Sequence, residues 1–578
     1  WRGRGGIMAL GAGAGPAGLE QDIVTQLLRS RGVPPDDIER HRTPSLRGFL
    51  PDPSLFQDMD RAAERLTDAV MSAESVTIYG DYDVDGATSA ALLIRLLRAL
   101  GLEPRHYIPD RLLEGYGPSG EALVRLAREG STLIVTVDCG AMAHEALGMA
   151  RAQGVDVVVV NHHKCAAELP PAYALVNPNR LDESPAAAGH GHLAAVGVAF
   201  LLAVATLRAL RKRGFFDARK EPDLLGLLDL VALGTVADVA ALRGLNRAFV
   251  AQGLKVMARR ENTGMAALID ASRLSRAPLC SDLGFALGPR VNAGGRVGEA
   301  TLGVRLLTTP DAEEARAIAA QLSRLNEERR AIEAAVQEAA ELQLDRQHNR
   351  AVVVVAGHGW HPGVIGIVAG RIKEKTGRPA LAIALDGDEQ GRGKGSGRSI
   401  AGVDLGAAII AAREAGLLVA GGGHAMAAGL TVEPDRVDAL ADWLDERLQA
   451  DVALASAEQV LPLDLALAPG GLTPALVECL EAAGPYGMGW PAPRLAVGPV
   501  RIVKADVVGR DHLRLIVRGA DGASFKAVAF RQAESTLGQT LLHGARDRAL
   551  WLAGRAKIDD WGSRPQAELH LEDASWAD

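Results

Sequence analysis

At 578 residues, with 48% hydrophobic and 23% charged residues and a net charge of −8, the chain is too long for one ordinary core and too apolar to be disordered, and typical domain sizes predict about three to four domains. Its apolar runs fall far short of the ~20 residues of a membrane helix, and no charged-then-apolar signal peptide opens it, so a soluble protein, not exported and with no membrane association, is expected. Net acidity does not exclude a nucleic-acid ligand, because phosphate binding depends on a local basic groove and an acidic metal site accounts for part of the total.

Residues 1–45 open on Trp1-Arg2-Gly3-Arg4 and a Gly/Ala-rich stretch, and are set apart as a partly disordered N-terminal extension. From Val76 the pattern alternates β and α. Val76 to Tyr79 reads as a strand, Thr88 to Leu100 as a helix ended by Gly101, and Arg105 to Ile108, Leu133 to Val137 and Val155 to Val160 as further short apolar strands. That alternation predicts a parallel sheet, whose ligands bind beyond the carboxyl ends of the strands. A mostly helical region follows, closed by a long helix from Asp311. There Ile318, Leu322, Leu325, Ile332, Val336 and Ala339 form one apolar stripe, over a length of ~50 Å that could connect two lobes. A second α/β unit starts at Ala351 and runs to about Leu448, and alternating segments after Leu461 predict a small β-barrel. The four cysteines, Cys139, Cys165, Cys280 and Cys479, lack CxxC spacing. A reducing cytoplasm is their simplest setting.

Directly after the first strand stands Gly80-Asp81-Tyr82-Asp83-Val84-Asp85-Gly86. Three carboxylates spaced by two are costly to assemble unless cations neutralise them. A calcium-binding EF-hand loop opens the same way but needs Glu at its twelfth position, where this chain has Leu92. The second strand end supplies Asp138 and the third Asn161-His162-His163, while Asp238 follows the apolar run Leu224 to Leu233. Singly, each has a bland reading as a helix cap or a hydrogen-bonded histidine. Jointly, at one edge of one sheet, oxygen and imidazole ligands without thiolate suit two Mn²⁺ or Mg²⁺ ions and phosphoester hydrolysis.

Asp81-Tyr82-Asp83-Val84-Asp85-Gly86, Asp138, Asn161-His162-His163 and Asp238 together resemble the ordered motifs of the DHH phosphoesterase superfamily. Leu287 to Arg296, Gly359 to Gly366, Gly395-Ser396-Gly397-Arg398-Ser399 and Gly421-Gly422-Gly423-His424-Ala425 narrow the resemblance to RecJ exonucleases, over nearly the whole chain from Leu46. The resemblance implies an α/β architecture with a parallel-sheet DHH catalytic domain at 46–310, a linking helix at 311–345, a DHHA1-type α/β substrate-binding lobe at 346–455 and an OB-fold DNA-binding barrel at 456–578. The implied activity is 5′-to-3′ exonucleolytic hydrolysis of single-stranded DNA, releasing 5′-mononucleotides in repair and recombination. Asp83, Asp85, Asp138, His162 and Asp238 are the implied metal ligands, with Asp138 as the bridge and Asp81 and His163 assisting. Arg111, Ser396 and Arg398 are the implied grip on the 5′-terminal phosphate, and Arg290, Asn292, Arg296, His361 and His424 further substrate contacts. Trp490, Phe525, Phe530 and Trp551 are available for base stacking in the barrel. The family also suggests a monomer, with a single-strand-binding protein and a RecQ-type helicase as partners.

One departure stands out: the family pattern is Asp-His-His, and this chain has Asn161-His162-His163. If that position orients an imidazole, Asn still offers an acceptor but removes one negative charge, and loss of such a partner typically costs about 10–100-fold in metal affinity or activity. The other candidate ligands are intact, which favours a metal-binding enzyme of reduced or normal activity over a DNA-binding relative that does not cut. A DHH phosphodiesterase acting on short oligonucleotides is the remaining rival, and it has no need of the C-terminal barrel.

Overall fold

The computed structural model describes residues 1–10, 16–111, 114–388, 390–457, 460–509, 511–545, 548–559 and 564–577. Its strands in chain order are β1 (Arg2–Leu10), β2 (Val76–Gly80), β3 (Arg105–Tyr107), β4 (Leu133–Val137), β5 (Asp156–Val160), β6 (Ala174–Val176), β7 (Val353–Gly357), β8 (Ala380–Ala384), β9 (Gly393–Arg398), β10 (Ala420–His424), β11 (Ala427–Val432), β12 (Pro462–Leu467), β13 (Leu495–Val508), β14 (His512–Gly519), β15 (Ser524–Ala529), β16 (Leu550–Asp559) and β17 (Gln566–Trp576).

The first lobe, the one expected to be catalytic, is built on the sheet β3-β2-β4-β5-β6, parallel throughout. Strands β2 and β4 are buried along their whole length, as near-continuous apolar runs covered on both faces must be. The chain leaves β2 to one side for β3 and returns on the other at β4. The order therefore reverses between β2 and β4, and a crevice opens at their carboxyl ends. Those two strands end immediately before Asp81 and Asp138, and β5 ends before Asn161.

The linking helix runs Ala312–Glu341, capped by Asp311, which accepts from the Glu313 and Glu314 amides. Its length is ~45 Å at 1.5 Å per residue. Ala315, Ile318, Ala319 and Leu322 belong to the catalytic core, whereas Val336 and Ala340 pack with β7 and β8 of the second lobe. One apolar stripe thus serves two cores. The second lobe has the mixed sheet β10-β11-β9-β8-β7.

The C-terminal sheet, β1-β12-β13-β14-β15-β17-β16, closes on itself where β13 also pairs with β16, giving a five-stranded barrel of β13 to β17. Residues 1–45, set apart in the sequence reading, are folded in part onto this region. β1 pairs in parallel with β12. Ile23, Val24, Leu27 and Leu28 are buried, and Arg31 makes a bidentate ion pair with Asp464 at 2.9 and 2.8 Å. The Gly/Ala-rich residues 11–15 lie outside the described residues. Among those described, no helix is long and apolar enough to cross a membrane.

Candidate active site

The carboxylate cluster begins with a helix start that lies earlier than Thr88. The helix runs Val84–Ala99, because the Asp83 side chain caps it by accepting from the Gly86 amide at 3.0 Å. Asp85 therefore sits inside the first turn, where the helix dipole favours negative charge. Gly86 is needed there, since a Cβ would lie 2.4 Å from the Asp81 carbonyl. Asp85 is fully buried and accepts from the Ala195 and Val196 amides at 2.6 and 2.9 Å, at the start of the helix Ala195–Lys212. Asp138 follows β4 with φ of +62°, a left-handed conformation that aspartate tolerates better than most residues. Asp238 caps the carboxyl end of the helix Leu228–Ala237.

These elements bring the side chains together. His162 Nε2 lies 3.2 Å from Asp138, 3.9 Å from Asp85 and 3.8 Å from Asp238. Candidate ligand atoms within 4.8 Å of one another fall into three overlapping sets: Asp138 with His162 and His163, Asp85 with His162 and Asp238, and Asp81 with Asp83 and Asp138. Asp138 and His162 each belong to two sets, so the cluster reads as two adjoining pockets with a shared wall.

Burial and then the Asp83 charge push Asp85 up to about 7. Asp238 rises to about 9, through burial and the charges of Asp85 and Asp83. Asp81 and Asp138 are held well above the usual carboxylate range for the same reasons. His162 is driven down to about 3 by burial and by His163, while its other ring nitrogen meets the Leu193 carbonyl. The buried acceptors Asp81 Oδ1, Asp138 Oδ1 and His162 Nε2 have no hydrogen-bond partner among the described residues. Orphaned lone pairs converging among mutually repelling carboxylates are a donor set that divalent cations fit.

Asn161 is buried, and its Oδ1 accepts from the His162 and His163 amides at 2.7 and 3.0 Å and meets His163 Nδ1 at 2.9 Å. The amide oxygen shapes the turn and orients His163. Asn177 and Asn179 donate to the His163 and His162 carbonyls, fixing the turn from behind. Tyr116, not picked out from the sequence, sends its hydroxyl to the Asp138 carbonyl at 3.0 Å and lies 3.2 Å from His163 Nδ1. Its place in Tyr116-Gly117, five residues after Arg111, was the available signal.

A second, cationic cluster spans the lobes. Arg111 lies over the Tyr82 ring at 5.0 Å. Burial and then the Arg111 charge lower the Arg398 pKa, and Arg296 falls to about 10 through burial, Arg111 and Arg329. Arg398 donates to Ser396 Oγ at 3.1 Å, and Arg296 to the Gly363 carbonyl at 3.0 Å. The first turn of the helix Ile365–Thr376 closes over them: a Cβ on Gly366 would lie 3.0 Å from both Arg398 Nη2 and Ser396 Oγ. His361 Nδ1 accepts from the Gly363 amide at 3.0 Å. His424 is exposed at the end of β10, its Nδ1 accepting from the Met426 amide at 3.3 Å. Arg290 is held elsewhere, on Ser323 Oγ and the Ala286 carbonyl, with Arg330 and Arg273 as its cationic neighbours. Asn292 is half-buried on the helix Gly288–Val297.

Of the four aromatics offered for stacking, Trp490 and Phe525 are buried and Trp551 packs against Leu463 and Ala496. The hydrophobic return on burying a large ring outweighs its availability to a ligand. Phe530 alone of the four is exposed, 48%, flanked edge-on by His512 and His570 at 5.4 and 4.9 Å.

Known proteins share this arrangement. Three family descriptions match in order: DHH family, N-terminal domain, over residues 75–235; DHHA1 domain over 348–450; and RecJ OB domain over 463–573. The chain is 42% identical over 569 residues to the single-stranded-DNA-specific exonuclease RecJ of Dickeya dadantii (strain 3937), covering 95% of both chains. Its fold matches the crystal structure of RecJ in complex with Mn²⁺ from Thermus thermophilus with a TM-score of 0.75 at 29% identity, covering 99% of this chain and 79% of that one. The Mg²⁺ complex of the same protein gives a TM-score of 0.69 at 28% identity, covering 99% and 78%.

Proposed function

The chain belongs to the RecJ family of single-stranded-DNA-specific exonucleases, and from that premise we propose that it shortens single-stranded DNA from the 5′ end by hydrolysis at a two-metal centre. The observation that carries the metal reading is the convergence of Asp81 Oδ1, Asp138 Oδ1 and His162 Nε2, buried and unpartnered, among carboxylates that repel one another.

The cofactor is a pair of Mn²⁺ or Mg²⁺ ions. Asp83, Asp85, Asp138, His162 and Asp238 would hold them, with Asp138 shared between the two. When bound, such a pair activates a water and neutralises charge at phosphorus in an in-line displacement. The chain's own contribution is orientation. The Ala195 and Val196 amides fix the Asp85 carboxylate, and burial keeps His162 neutral while the Leu193 carbonyl holds its other ring nitrogen, leaving the Nε2 lone pair unpartnered. His163, steered by Asn161 Oδ1 and the Tyr116 hydroxyl, stands beside the Asp138 carboxylate, where it would assist at the phosphate being cut.

Arg111, Ser396 and Arg398 would grip the 5′-terminal phosphate, with Arg296 behind them. Guanidinium forks bind phosphate bidentately, and the first turn of the helix Ile365–Thr376 adds N–H groups that lack helical partners. Only a chain end presents a terminal phosphate, which is what sets the polarity. Arg290 and Asn292 are assigned a role farther along the strand, since Arg290 is tied to Ser323 Oγ and the Ala286 carbonyl.

A single-strand-specific site needs its strand unwound elsewhere, which gives a single-strand-binding protein and a RecQ-type helicase their proposed place as suppliers. The proposed compartment is the reducing cytoplasm, in keeping with four free cysteines, and the proposed state is a monomer. The test is degradation of a 3′-labelled, 5′-phosphorylated single strand in Mn²⁺, beside a duplex. A ladder of shortening labelled fragments from the single strand alone is expected. Immediate release of the labelled mononucleotide would reverse the polarity, and equal attack on the duplex would remove the specificity.

A further inference from the structure

Arg247 is fully buried, yet it faces neutral acceptors: Nε donates to the His41 carbonyl at 3.1 Å, Nη1 to Pro485 at 2.9 Å, and Nη2 to Ala483 and Gly484 at 2.7 and 2.6 Å. A buried cation set against dipoles is costly to keep, and none of the chemistry described above uses it. Three of its four acceptors lie in the turn 483–490 that leads into the barrel, and Trp490, below its guanidinium at 5.5 Å, closes the same turn. Leu242, at the far end of the loop that starts at Asp238, donates its amide to the Met488 carbonyl at 2.8 Å. Asn246, one residue before Arg247, donates to the Ala241 carbonyl at 3.1 Å and to the His192 carbonyl at 2.6 Å. His192 adjoins Leu193, whose carbonyl meets His162, and the same segment ends in the Ala195 and Val196 amides on Asp85.

We propose that the turn 483–490 is a positioning element of the metal centre, so that docking of the C-terminal barrel, through Arg247, Leu242 and Asn246, sets the geometry of Asp238, His162 and Asp85. The inference rests on reading those three as metal ligands. The barrel then has two tasks, and only one of them concerns DNA. Gly487 is the sensitive point: a Cβ there would lie 2.7 Å from Leu242 Cδ1, while its backbone is outside the left-handed region, so a methyl strains the contact and not the turn itself.

The test uses the full chain carrying Gly487→Ala, Arg247→Lys, and Gly487→Ala combined with Leu242→Ala. Mn²⁺ affinity is measured by calorimetry without DNA, and affinity for a fluorescent single strand is measured in EDTA. Gly487→Ala and Arg247→Lys are expected to weaken Mn²⁺ binding by about 10-fold or more, with strand affinity in EDTA unchanged and the circular-dichroism spectrum retained. The double variant, which makes room for the methyl, recovers most of the Mn²⁺ affinity. Should Arg247→Lys fail to fold, Gly487→Ala decides the matter. Unchanged Mn²⁺ affinity in folded Gly487→Ala overturns the positioning role. A parallel loss of strand binding also overturns it, in favour of a merely structural contact. An unaltered chain that binds no Mn²⁺ overturns the metal-centre reading beneath it.

Discussion

Asn161 decides how the departure from Asp-His-His is read. The amide oxygen performs three acceptor contacts, all within the turn and on His163, and an aspartate would make the same three. What asparagine lacks is the charge, in a cluster where burial and then the Asp85 and Asp83 charges already push Asp238 up to about 9. Activity of the unaltered chain is therefore expected, with Asn161→Asp raising it by no more than about 10-fold and Asn161→Ala lowering it by about 10–100-fold. Equal rates for Asn161→Ala and the unaltered chain in a Mn²⁺ assay would remove Asn161 from the site. Acidity of the cluster also sets a pH dependence. Asp85 and Asp238 have folded values above the unfolded 3.8, so their contribution to stability is present at low pH and lost as pH rises. His162, depressed below 6.5, acts in the opposite sense only below that pH. In EDTA, the melting temperature should thus fall between pH 6.5 and 9, and Asp238→Asn should flatten that fall. The spacing Asp81-x-Asp83-x-Asp85 was legible because it is local. Tyr116 was not, because its partners, the Asp138 carbonyl and His163, come from two other strand ends and meet only through the sheet.

Helices and strands were read best where one periodic pattern served one core. β4 was legible to the residue, as an apolar run buried on both faces. The helix beginning at Val84 was placed four residues late because Asp83, Asp85 and Gly86 look like loop residues until the cap between Asp83 and Gly86 is seen. The linking helix was legible because its stripe persists while the core beneath it changes from the catalytic lobe to the second lobe. At this scale lies the proposed grip on the strand end. β9 carries Ser396 and Arg398 against the first turn of the helix Ile365–Thr376, and Arg111 arrives from the other lobe. Arg398→Ala removes one fork while the helix turn remains. It should lower kcat/KM on 5′-phosphorylated strands by about 10-fold or more, in the range of a lost charge-assisted bond of ~1.5–3 kcal/mol. Strands ending in 5′-hydroxyl should change little, and an equal loss on both would show that Arg398 acts on the lobe and not on the terminal phosphate.

For the whole molecule, the chain order of the lobes conceals how they are tied. The segment before Leu46 looks dispensable as sequence, yet Arg31 reaches Asp464, 433 residues away, and the buried Ile23, Val24, Leu27 and Leu28 join the core with it. No local pattern announces such a contact, and Trp490 is available for stacking in the sequence for the same reason: its burial under Arg31 and Arg247 depends on the assembled lobes. The barrel so fixed presents Phe530 between His512 and His570, and a strand leaving the metal centre must reach it to be held there. Stacking of a base on an aromatic ring is worth ~1–3 kcal/mol. Phe530→Ala should therefore raise KM by about 10-fold for strands long enough to reach the barrel, with kcat unchanged, and leave di- and trinucleotides unaffected. Trp551→Ala, whose ring packs inside, should instead lower the melting temperature without changing the dependence on strand length. If Phe530→Ala weakens long and short substrates alike, the exposed ring does not hold the strand, and the barrel's contribution to catalysis reduces to its hold on the loop after Asp238.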